Sequence, residues 1–204
     1  LVRRLGLRNV LIRRGAGESL PGATGPYDRV LVDAPCSGEG TWRKYRRHRR
    51  EVGRRIDERE RDDLAARQAR LLDRAVRLCR PGGRIVYSTC TYAPEENEAV
   101  VDAILRHHGD RLSVETASVE GFAVSEGVTE WAGQRYDPRL ARALRIWPGI
   151  TDTGGFFVVI LHRHGAPGEA TGQSRAEPAH EASQTLPAHP ATDAVLTRFG
   201  IDAA

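Results

Sequence analysis

The 204-residue sequence holds no methionine, three cysteines and only 6% aromatic residues, and Lys44 is its one lysine. Each scarcity excludes something. Cys36, Cys79 and Cys90 are odd in number and widely spaced, which argues against a disulfide framework and for a reducing compartment such as the cytoplasm. No Cys-x-x-Cys pair or cysteine–histidine cluster offers the roughly four ligands of a structural zinc, and His162 and His164, alternate residues at a strand end, read as solvated, so no metal is expected. No apolar run approaches the ~20 residues that cross a bilayer, and no signal-peptide pattern is present. A nucleotide-binding oxidoreductase is disfavoured, because no Gly-x-Gly-x-x-Gly fingerprint occurs. A chain without methionine that begins at Leu1 is expected to have more sequence upstream.

What the sequence has in excess is arginine. Residues from 165 onward carry five acids against Arg175 and Arg198, so of the net charge of +4 the first 164 residues hold +7. A basic body with an acidic tail suits a polyanionic partner. The stretch Arg43 to Arg61 contains ten Lys or Arg and four acids, with Trp42 just before it and Tyr45 and His48 within it. A solvated helix face would have similar composition. Its position beside Cys36 favours a loop that tracks phosphates while the rings meet bases, with Arg43, Lys44, Arg46 and Arg47 as the candidate contacts.

Apolar patterning predicts an α/β fold. Asn9 to Ile12 reads as a short strand, followed by a turn at Gly15-Ala16-Gly17. Val30-Leu31-Val32-Asp33 is an unalternating apolar run that suits a strand covered on both faces, and ligands of parallel sheets collect at the strands' carboxyl ends, where Asp33 and Cys36 fall. A long helix should open near Asp57, with Glu60 completing a capping box, and bury a stripe of Leu64, Leu71, Ala75 and Leu78, with Leu72 and Cys79 as further candidates, before Pro81-Gly82-Gly83. Cys79 lies on that stripe and reads as a core residue. A second strand, Arg84 to Cys90, again carries a thiol at its exit. Pro94 with Glu95, Glu96 and Glu98 should form a first helical turn whose acids complement the helix dipole, with Val100, Val101, Ile104 and Leu105 facing inward. Leu112 to Thr116 and Gly155 to Leu161 are further strands, the latter expected antiparallel at a sheet edge. Residues 165 to 191 read as a flexible linker, and 192 to 204 as the start of a further module.

Two strands thus deliver two thiols to one edge, with an acid beside one of them. A thiolate is a nucleophile when donors or positive charge surround it, and paired strand exits favour a functional reading of Cys36 and Cys90 over two ordinary buried cysteines. The glycines at 38 and 40 suit close backbone approach. By themselves these residues do not tell which thiol would attack.

Asp33-Ala34-Pro35-Cys36-Ser37-Gly38-Glu39-Gly40-Thr41, Pro81-Gly82-Gly83, Tyr87-Ser88-Thr89-Cys90-Thr91 with Pro94-Glu95-Glu96-Asn97-Glu98, and Trp147-Pro148 before Gly155-Phe156-Phe157-Val158 resemble the Sun/Nol/Nop family of RNA cytosine-C5 methyltransferases over about residues 1 to 163. The resemblance implies a Rossmann-like class I methyltransferase sheet. It also implies S-adenosylmethionine as cofactor and rRNA or tRNA as partner, without metal or membrane and as a monomer. Cys90 would be the nucleophile, Cys36 would serve product release, and Asp33 would lie where cytosine and cofactor meet. DNA cytosine methylases, which are similar in using the cysteine of a Pro-Cys, make Cys36 the rival nucleophile. The family's glycine-rich cofactor loop would precede Leu1, so the given segment is expected to be an incomplete domain, spanning residues 1 to 164 and inactive alone. Ala16 stands about where the family carries an aspartate. A noncatalytic RNA-binding remnant of the family is the alternative.

Overall fold

The computed structural model describes residues 10–21, 25–41, 57–150 and 152–165. Arg43, Lys44, Arg46 and Arg47, the linker from residue 166 onward and the further module expected at 192 to 204 lie outside the described residues. Among the described residues, no helix is long and apolar enough to cross a membrane.

One mixed sheet organises the fold. Strand β1 (Tyr27–Asp33) lies parallel to β2 (Cys79–Thr89), with Val30 opposite Ile85, Val32 opposite Tyr87 and Asp33 opposite Ser88. Helix α1 (Glu58–Leu78) connects them and packs on both. Its start is fixed by the expected cap: Asp57 accepts a hydrogen bond from the Glu60 backbone N–H at 2.8 Å. Gln68, Leu72, Ala75, Val76 and Leu78 are its buried residues. The inward stripe is therefore rotated slightly from the one read in the sequence, because Leu64 and Leu71 are only half-buried. Helix α2 (Glu98–His108) packs against α1 and buries Val100, Val101, Ile104 and Leu105 as expected.

The remaining strands are β3 (Leu112–Glu115), the short β4 (Ser125–Glu126), β5 (Glu130–Trp131), β6 (Gln134–Arg135) and β7 (Leu144–Ile146), and the long β8 (Phe156–Arg163). Strand β8 is antiparallel but interior. It pairs with β2 on one side, and on the other with β7 near its start and β3 near its end, so the edge position expected for it is corrected. Two short neighbours share its far side, which leaves Phe157, Val159 and Leu161 fully buried.

Among the described residues β1 ends the sheet, with Val30 and Val32 half-buried and Leu31 69% exposed. An apolar run without alternation suggests two covered faces, yet only one face of β1 is covered by described residues. Val10 to Ile12, expected as a strand, is not one, because a strand exists only through a ladder partner and Leu11 and Ile12 stay 78% and 70% exposed.

Candidate active site

The in-register end of the parallel pair places the chemistry. With Asp33 opposite Ser88, the chain leaves both strands at the same level, and Cys36 follows Asp33 by three residues while Cys90 follows Ser88 by two. Their sulfurs lie 3.4 Å apart and both side chains are half-buried. The hydrogen bond to Cys90, helped by burial, pushes the Cys36 thiol well above the ordinary cysteine range. Either sulfur has the geometry to donate, and a Cys36 that keeps its proton is the donor. Cys79 sits at the other end of β2, fully buried, and burial raises its thiol as well. The three cysteines thus divide as the sequence suggests: two paired, one in the core.

Asp33 is the last residue of β1. The Ser88 hydroxyl donates to its Oδ1 at 3.0 Å, while the Asp33 residue remains exposed at the carboxyl end of β1. An exposed carboxylate there accepts hydrogen bonds from an amine or ammonium group, the donor chemistry shared by a cytosine amino group and by the amino-acid end of S-adenosylmethionine.

Glycine does two separate jobs in the Cys36 turn. Gly38 has φ of +75°, which favours glycine. Gly40 is sandwiched: its N–H donates to the Cys90 carbonyl at 2.8 Å and its carbonyl accepts from the Gly155 N–H at 3.0 Å. A Cβ at Gly40 would press on both backbones, so the two turns and the entry to β8 approach as closely as they do only without one.

Several site residues carried no recognised signal. Gln68, fully buried on α1, donates to the Pro35 carbonyl at 2.8 Å and to Glu96 Oε2 at 2.9 Å, and the same oxygen accepts from the Ser37 N–H at 2.9 Å. Ser37 and Thr91 hydroxyls meet at 2.6 Å. Behind them, the Thr89 hydroxyl donates to Asn97 at 2.6 Å and Tyr87 donates to the Glu96 carbonyl at 2.7 Å. Of the acids expected in the first helical turn, Glu98 stands there, while Pro94, Glu95 and Glu96 lie in the turn before α2. Glu96 and Glu98 are fully buried, and Glu98 pairs with the buried Arg145, whose Nε lies 2.8 Å from its Oε1. Arg145 also donates to the Tyr92 carbonyl at 3.0 Å and faces Trp147, itself stacked on Tyr92. A glutamine four residues before Leu72 and seven before Ala75 was the available clue, since a polar residue in an apolar stripe needs a partner.

Residues 1–162 match the family described as 16S rRNA methyltransferase RsmB/F. Ribosomal RNA small subunit methyltransferase F of Aeromonas salmonicida is 38% identical over 138 residues, which is 68% of this chain and 26% of that protein. The 25S rRNA (cytosine-C(5))-methyltransferase nop2 of Schizosaccharomyces pombe is 35% identical over 79% of this chain and 26% of its own length. The tRNA (cytosine(49)-C(5))-methyltransferase of Pyrococcus abyssi is 35% identical over 67% of this chain and 42% of its own. Among solved structures, NSun6 from Pyrococcus horikoshii with SFG, an S-adenosylmethionine analogue, superposes with a TM-score of 0.63 at 28% identity, over 81% of this chain and 37% of that one. The chain spans about a quarter of the length of the first two relatives.

Proposed function

The chain belongs to the 16S rRNA methyltransferase RsmB/F family, and from that premise we propose that it supplies the cysteine centre of an enzyme that methylates carbon 5 of cytosine in rRNA or tRNA. The observation that carries the proposal is the pair of sulfurs 3.4 Å apart at two in-register strand exits, with Asp33 ending the strand that leads to Cys36. Bound S-adenosylmethionine supplies an electrophilic methyl group.

The pairing explains the division of labour. Carbon 5 of cytosine is a weak nucleophile. When the Cys90 thiolate adds to carbon 6, the ring's electron pair is pushed toward N3 and carbon 5 gains enamine character. Asp33, exposed at the carboxyl end of β1, would hydrogen-bond the base while N3 takes a proton from water. Carbon 5 would then take the methyl group, whose sulfonium carrier leaves as a neutral thioether; the C5 proton passes to a water molecule, N3 gives back its proton, and the carbon–sulfur bond breaks as Cys90 departs with its electron pair. Cys36, which keeps its proton and donates it toward Cys90, assists that departure. The assignment of Cys90 as attacker rests on the family resemblance, since either sulfur of the pair can donate to the other and the rival in which Cys36 attacks has the same geometry. Arg43, Lys44, Arg46 and Arg47 would hold RNA phosphates.

The test is trapping with RNA containing 5-azacytidine, using the intact gene product beside Cys90→Ala and Cys36→Ala. A covalent adduct lost only with Cys90→Ala is the expected result. An adduct that survives Cys90→Ala and vanishes with Cys36→Ala reverses the roles, and RNA binding without any adduct supports the noncatalytic alternative.

A further inference from the structure

The backbone on either side of Cys36 is gripped by two side chains from elsewhere in the chain, and no step of the chemistry above uses them. The Pro35 carbonyl accepts from Gln68 and the Ser37 N–H donates to Glu96 Oε2, while Gln68 also donates to that same oxygen. One Gln68 hydrogen bond thereby goes to the turn and the other to the carboxylate that holds it. Gln68 and Glu96 are fully buried, and the remaining oxygen of each, Oε1, has no hydrogen-bond partner among the described residues. Burying a carboxylate and leaving two acceptors unsatisfied costs stability that an apolar pair of the same shape would not. What the arrangement does achieve is geometric. It ties the Cys36 turn to α1 and to the segment before α2, while the Ser37–Thr91 contact of 2.6 Å and the Gly40–Cys90 hydrogen bond of 2.8 Å tie it to the Cys90 turn.

We propose that Gln68 and Glu96 are positioning residues that hold the Cys36 thiol against the Cys90 sulfur. The consequence for product release rests on the methyltransferase reading above; the positioning itself does not. Without the clamp, Cys36 drifts from Cys90, so Cys90 still attacks but leaves slowly.

Two readouts on the intact gene product separate these statements. The first needs no RNA: diamide removes one hydrogen from each thiol, is reduced to the hydrazine, and joins Cys36 to Cys90 only when the sulfurs meet. Gln68→Met, close to isosteric but without hydrogen bonds, should slow this cross-link about tenfold or more. Gln68→Asn, shorter by one methylene, should slow it in the same direction and serves if the first variant does not melt cooperatively. Glu96→Gln keeps an acceptor for the Ser37 N–H and should stay within about threefold of wild type. Cross-linking at the wild-type rate in a folded Gln68→Met or Gln68→Asn protein overturns the proposal. The second readout is the covalent protein–RNA adduct formed with cofactor and cytosine RNA. Gln68→Met should accumulate it several-fold over wild type, as Cys36→Ala does. Slowed cross-linking with no adduct even in Cys36→Ala overturns the methyltransferase reading and leaves the positioning supported.

Discussion

Strand β2 has a cysteine at each end, and the two ends differ in almost everything else. At its start, Cys79 is fully buried in the core, and its thiol donates to the Arg84 carbonyl at 3.7 Å. At its finish, Cys90 is half-buried among Thr89, Thr91, Asn97 and the Cys36 thiol, with buried Glu96 and Glu98 behind the turn. On the proposed reading, the same residue type is packing at one end and chemistry at the other. Neighbours decide this, since burial in the core favours the protonated Cys79 thiol, whereas Cys36 and Cys90 share a hydrogen bond.

The polar end depends on its buried charges, and removing one gives the largest expected effect. Arg145→Met would leave Glu98 buried and unpaired at the start of α2, and should cost about 3 to 5 kcal/mol in urea denaturation. A loss below about 1 kcal/mol would mean that this end is held together by something other than the ion pair. At the apolar end the corresponding weakness is space. A Cβ on Gly83 would stand 2.5 Å from the Cys79 sulfur and 2.9 Å from the Asp28 and Arg80 carbonyls. Gly83→Ala should therefore cost about 1 to 3 kcal/mol as an overpacking change. Adding Cys79→Ala should recover only part, because the carbonyls remain.

Serine substitutions compare the two ends directly and should have smaller effects. Cys79→Ser buries a hydroxyl in an apolar setting and should cost about 1 to 2 kcal/mol. Cys36→Ser, half-buried with sulfur and backbone partners, should cost no more than about 0.5 kcal/mol. Equal costs measured by thermal melting would erase the distinction between the ends.

Much of this contrast was legible before any coordinates. Asp57 and Glu60 announced the helix, Cys79 fell on an apolar stripe, and Cys36 and Cys90 closed two strands, because caps, helical periodicity and strand exits are local properties. Three kinds of feature were not. Whether β1 or β8 lies at an edge depends on pairing between distant segments, which an apolar run does not encode. Strands β4 to β7 have two or three residues each, too few for any period to show; the tight turn joining β5 to β6 rests on Ala132 and Gly133, both with positive φ. Finally, Glu96 and Glu98 follow a proline in the manner of exposed helix-start acids, and only Gln68 and Arg145, 28 residues before and 47 residues after them respectively, reveal that they are buried partners.

The last prediction leaves stability almost unmoved and bears on the protons. At pH 8, iodoacetamide should modify Cys36 slowly, because its hydrogen bond to Cys90 and its burial favour the protonated thiol, and alkylation proceeds through the thiolate. Cys79 should react only on unfolding. Replacing Cys90 with alanine removes the larger of the two influences on Cys36, so its titration should fall toward the ordinary value of about 8.5. More of it is then thiolate at pH 8, and its alkylation should speed up several-fold even though no residue nearer the solvent has changed. If the rate stays where it was, burial alone holds the Cys36 proton, and the sulfur pair has the geometry of a proton-sharing couple without the energetics of one.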